Sequence, residues 1–181
     1  MILSQFNYFA KFVPIEALKK IFANPEHSQL PGYAETKAEI LNAPSAERID
    51  GITNYVFSYN EEFVSDRVKN NKGTMLFVEY GKVSFAPNVA DGVRETLALS
   101  IVRPYNTANN DNLNETLLMQ QTLDMLKSIL TAMLDDQRAL DACGIGSLIN
   151  FPAEILPVEP KYFFGNAGWM AVFERSETLL R

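Results

Sequence analysis

Cysteine, histidine and tryptophan each occur once in this 181-residue chain, as Cys143, His27 and Trp169. A lone cysteine closes no internal disulfide, so the core must be held by apolar packing, and a cytoplasmic or otherwise reducing setting is expected. One histidine and one cysteine make no zinc pattern, and the acid pairs Glu61-Glu62 and Asp135-Asp136 lack the spacing of a calcium loop. His27 sits in NPEHSQLPG with no serine or cysteine motif beside it, so it reads as a surface loop histidine rather than a triad member. Positive charge is scarce: 16 Lys and Arg against 22 Asp and Glu leave a net charge of -6, which disfavours a grip on nucleic acid phosphates.

Long apolar runs are missing too. No stretch reaches the roughly 18 uninterrupted apolar residues of a membrane-spanning helix. The opening MILSQFNYFAKFV is broken by Ser4, Gln5, Asn7 and Lys11 and has no basic leader, so it does not read as a signal peptide, and the Asn114-Glu115-Thr116 sequon is discarded with it. Cys143-Gly144-Ile145-Gly146-Ser147 lacks the third glycine, the preceding strand and the lysine of a phosphate loop, and reads as the end of a helical region. Glu154 and Glu159 flank Pro157 as solvated acids. No catalytic, cofactor or metal site is expected, and no membrane.

What is present is a well-patterned single domain of 47% hydrophobic residues. PIEALKKIFAN, 14–24, has Pro near its start and Ile15, Leu18, Ile21 and Phe22 at helical spacing. A weaker helix spans Tyr33 to Asn42, between Pro31-Gly32 and Pro44. Ile52 to Tyr59 is β-branched and aromatic enough for a strand, and EEFVSDRVKNN for a helical turn with Phe63 and Arg67 on one side. Thr74 to Tyr80 is a nearly continuous apolar run, and Gly81-Lys82 reads as a turn into VSF, giving a hairpin. Arg94 to Val102 alternates, with Leu97, Leu99 and Ile101 on one face.

Asp111 or Asn112 caps a long helix running to about Arg138. Its Leu118, Met119, Leu123, Met125, Leu126, Ile129, Leu130, Met133 and Leu134 fill half the circumference, with Gln120, Gln121, Asp124, Lys127, Ser128 and Thr131 opposite. A stripe that wide suits a helix lying on a sheet, each large side chain contributing about 1.5–3 kcal/mol on full burial. FPAEILPVEP, with three prolines, takes an extended or edge course. GNAGWMAVFE closes the sheet with Trp169, Ala171 and Phe173 on one face and Met170, Val172 and Glu174 on the other. The predicted fold class is α+β: a small antiparallel sheet of hairpin, third strand and C-terminal strand, covered on one face by one long amphipathic helix, with short N-terminal helices over 1–71. Its core is Leu97, Leu99, Ile101, Leu126, Ile129, Met133, Trp169 and Phe173.

Three stretches, 86–93, 104–112 and 150–167, read as loops longer than connection demands, and such loops often carry binding. The last holds Phe151, Ile155, Leu156, Tyr162, Phe163 and Phe164, which suit either a neighbouring subunit or the chain's own N-terminal helices. A second candidate patch lies on the hairpin 80–93, with Lys82 and Asn88.

The order KGTMLFVEYGKVSFAP, RETLALSIVRPY, long helix, FPAEILPVEP and GWMAVFE, over about 72–175, resembles the tail terminator or tail completion proteins of long-tailed bacteriophages and prophages. The first 70 residues depart from that family by being longer and more broken than its usual N-terminal helix. The resemblance implies a non-enzymatic virion protein, a homo-oligomeric ring of six copies at the head-proximal end of the tail tube. Its partners would be the tail tube protein and the head connector or stopper, with DNA passing through the channel unheld. Other head-tail connector or baseplate components share these parts, and a small ligand-binding domain or enzyme with dispersed site residues is the alternative of another class.

Overall fold

The structure, a computed structural model, describes residues 2–22, 30–43, 46–60, 62, 64–85, 93–106, 111–142 and 149–177. Three helices come first, α1 Ile2–Ala10, α2 Ile15–Ile21 and α3 Tyr33–Asn42, then strand β1 Ile52–Ser58 and the short α4 Ser65–Lys69. Strands β2 Thr74–Phe85 and β3 Val93–Pro104 precede α5 Asn112–Ala142, and β4 Ile149–Val158 and β5 Asn166–Glu177 end the chain. Among the described residues these five strands form one sheet in the order β1-β2-β3-β5-β4. The fold is α+β, with α5 packed on β3 and β5.

β5 lies between β3 and β4, antiparallel to both, with Trp169 opposite Ile101 and Pro157, and Ala171 opposite Leu99 and Ile155. The proline-bearing segment is therefore an edge strand, where a missing N–H costs least. Gly168 lets β3 approach here: a Cβ at that position would lie 2.0 Å from the Ile101 carbonyl oxygen.

Two features differ from the pattern-based reading. Gly81 and Lys82 do not turn the chain, because β2 continues to Phe85 and the pairing with β3 absorbs the irregularity as a register shift between Tyr80 and Val83. The hairpin is thus β2 with β3. In addition, β1 joins β2 in parallel, Tyr55 opposite Leu76 and Phe57 opposite Val78, so the otherwise antiparallel sheet gains a parallel edge.

The larger core lies on the face covered by α5 and the N-terminal helices. Leu97, Leu99, Ile101, Ala171 and Phe173 meet Leu126, Ile129 and Met133 of α5, while Phe9, Phe12, Val13 and Leu18 cover β1 and β2. Of the nine apolar residues in the α5 stripe only Leu126, Ile129 and Met133 are fully buried; the other six are half-buried, so the helix contributes less than full burial of all nine implies. Its polar arc is exposed throughout. Asp111 caps the helix, accepting from the Asn114 N–H at 2.9 Å. At the other end of α5, Asp136 accepts from Tyr8 at 2.6 Å and pairs with Lys11, which also pairs with Glu47 at 2.7 Å. These contacts tie α1 to the long helix.

A second core occupies the opposite face, where Val56, Met75, Phe77 and Val102 meet Val64 and Val68 around α4, Val158 and Phe163. It explains why Ser100, on the polar side of β3, is buried: its pairing partners there are Phe77 and Met170.

Candidate functional site

The GNAGW stretch is where the two cores meet. Asn166 is 2% exposed, and its Nδ2 donates to the carbonyls of Val68 at 3.3 Å, Phe163 at 3.2 Å and Phe164 at 3.4 Å. Its Oδ1 accepts from Asn71 Nδ2 at 3.2 Å, and Asn71 in turn accepts from Asn54 at 2.5 Å. A buried amide needs such partners, and here they clamp α4 and the 159–165 turn to the sheet. That turn closes through two left-handed residues, Phe164 at φ 49° and Gly165 at φ 79°. Three residues beyond Asn166, Trp169 Nε1 donates to the Met119 carbonyl at 2.9 Å, pinning α5 to β5. Trp169, read as a core residue, is half-buried and packs against the larger core, and it also borders a depression of about 480 Å³ lined by Asn112, Glu115, Thr116, Met119, Gln120 and Leu123.

The candidate interface residues divide. Ile155 and Leu156 are each 37% exposed on edge strand β4, and Tyr162 is 68% exposed on the turn beyond it. Phe163 is not available for contact: it is 8% exposed, edge-on to Phe77 with ring centroids 5.4 Å apart, because the turn folds back onto the second sheet face. Phe164 is half-buried on the same cluster, with Lys69 Nζ 5.0 Å from its ring centroid. Neither packs with the N-terminal helices, which lie on the other face. The stretch 150–167 is strand β4 through Val158 and only then a turn, so Phe151 belongs to a strand rather than a loop. Lys82 likewise belongs to β2, so it marks no hairpin tip, and Asn88 lies outside the described residues. His27, Glu61, Phe63 and the 143–147 glycine segment also lie outside them.

Exposed apolar side chains that the sequence reading missed lie on the first two turns of α5, Leu113 at 65% and Leu117 at 48%, and on α1, Ile2 at 47% and Leu3 at 56%. Their signal was present: both α5 leucines fall outside the half-circumference stripe.

Among the described residues no three His, Cys, Asp or Glu side chains group as metal ligands, and no helix is long and apolar enough to cross a membrane. A polar pocket of about 370 Å³ is lined by Lys20, Thr53, Asn54, Asn70, Lys72 and Gly73, at the start of β1 and β2, with no carboxylate among the described residues that line it. Another, of about 310 Å³, is lined by Phe57, Ser58, Val64, Ser65, Asp66, Arg67 and Tyr80. Tyr55, fully buried, donates to the Phe6 carbonyl at 2.9 Å, and burial pushes its hydroxyl well above the usual tyrosine range. No protein-family model, no curated protein and no solved structure matches the chain.

Proposed function

We propose that this chain is a non-enzymatic structural subunit of a bacteriophage tail or neck. In this reading copies form a ring, six in number, at the head-proximal end of the tail tube, end its polymerisation and dock to the head connector. The observation that supports it most is the placement of α5 across β3 and β5, with Trp169 joining helix to final strand, because this is the element order on which the family resemblance rests. The sheet's two edges, β1 and β4, differ in sequence and surroundings, and head-to-tail closure requires two unlike patches on each subunit. A net charge of -6 suits a channel through which DNA slides unheld.

The test is placement in the particle. An antibody-labelled or fused copy of this chain is expected at the junction of head and tail in electron micrographs. Label on the baseplate, or on no part of the virion, overturns the reading.

A further inference from the structure

The two edges of the sheet carry exposed charge of opposite sign. At the β1 edge Lys20 and Lys72 line the polar pocket together with Thr53, Asn54 and Asn70, and Lys20 Nζ reaches the Thr53 carbonyl at 3.4 Å. At the β4 edge Glu154 and Glu159 are exposed beside Ile155, Leu156 and Tyr162. Lys161, the cation nearest in sequence, lies over its own Tyr162 ring at 5.2 Å. Among the described residues none of Lys20, Lys72, Glu154 and Glu159 forms an ion pair, whereas Lys11, Lys19 and Arg138 do.

These groups cannot meet within one chain. β1 and β4 are the first and last of five strands, four spacings of about 4.8 Å apart, so some 19 Å of sheet separates them. Glu159 and the two lysines do lie toward the same end of it, whereas Glu154 is level with Ser58 at the other. The registers carry Met75, next to Thr74 at the start of β2, across Val102 and Gly168 to Val158, leaving the lysine pocket and Glu159 at corresponding corners of opposite edges. A rotation about an axis along the strands brings one corner to the other, which is the operation that generates a closed ring. Proline at 157 removes an N–H from β4, so this edge is poorly suited to strand addition and well suited to contact through side chains.

We infer that the carboxylate of Glu159 on one copy docks into the Lys20–Lys72 pocket of the next, with Ile155, Leu156 and Tyr162 forming the apolar part of the same contact. The inference rests on the ring reading above and names the surfaces that would build it. Opposite charges across an interface steer association and fix register, and like charges placed there oppose it strongly.

Two charge-reversed variants test it, K20E/K72E and E159K, each checked for an unchanged thermal midpoint and then followed by sedimentation velocity at low salt. Each alone is expected to associate at least about tenfold more weakly than the wild type, since both sides of the contact then carry one sign. Mixed in equal amounts they are expected to recover association to within about threefold, because every contact again joins Lys to Glu. Raising the salt toward 1 M, where screening acts within about 3 Å, should weaken the wild-type contact.

Variants that associate as the wild type does, or a mixture that stays apart, overturn the pairing while leaving the ring intact. Recovery in the mixture as open chains or pairs, without rings, upholds the pairing and overturns the ring. A wild-type chain that stays monomeric overturns both. Inorganic phosphate binding at Lys20 and Lys72, with assembly of both variants unchanged, marks a small-anion site and overturns the docking.

Discussion

Among the described residues, nineteen buried ones from strands, α5 and the N-terminal helices form a continuous apolar cluster on one face of the sheet, and eight cluster on the other under α4 and the 159–165 turn. The first face is held by area removed from water, which is non-directional and tolerates some repacking. The second is too small for that alone and is fixed by directed hydrogen bonds, with the two Asn166 amide hydrogens shared among three carbonyls and its oxygen accepting from Asn71. The difference teaches that the broad face supplies stability, while the narrow face positions the turn 159–165 and, beside it, the β4 edge.

Substitutions can break that division. Leu99→Ala removes a fully buried side chain from the centre of the larger cluster and is expected to cost about 3–5 kcal/mol in chemical denaturation. A loss under about 1 kcal/mol contradicts the assignment of stability to that face. Asn166→Ala should cost about 1–3 kcal/mol, since it removes the side-chain bonds to the Val68, Phe163 and Phe164 carbonyls and the acceptor of one Asn71 amide hydrogen, while backbone N–H groups still serve Val68 and Phe163. Hydrogen exchange should then rise in the turn and α4 before it rises in α5. Uniform loss of protection would show that the clamp is not local.

The effects that follow are smaller. Trp169→Phe keeps the ring against the core but deletes the hydrogen bond to Met119, at a cost of about 1 kcal/mol. Tyr55 tests the broad face by pH. Its folded pKa lies above the unfolded value near 10, so the stability it contributes is complete below that value and is lost as pH rises through the folded one. Tyr55→Phe should lose about 1 kcal/mol at neutral pH and fall less steeply than the wild type above pH ~10. Equal slopes would place the Tyr55 hydroxyl in solvent.

Much of the broad face was legible because its elements carry a period. β3 alternates cleanly, α5 has a wide stripe, and Trp169, Ala171 and Phe173 share a side, so each declares its buried surface before any coordinates are known. The proline content of β4 likewise announced an edge. The narrow face was not legible, since its decisive residues are asparagines and a glycine that look like loop chemistry until the chain folds back on itself. Phe163 misled for the same reason: an aromatic beside turn formers points outward or inward according to a reversal two residues away. Gly81 misled because a glycine tolerated within a paired strand carries the same local signal as a turn. The parallel entry of β1 leaves no local mark, because pairing direction is set by the path between strands.

The edges carry the functional account, and native mass spectrometry of the full-length chain addresses it most directly. The account predicts a closed homo-oligomer of six copies, with no ladder of longer open species. A monomer persisting at high protein concentration would contradict it.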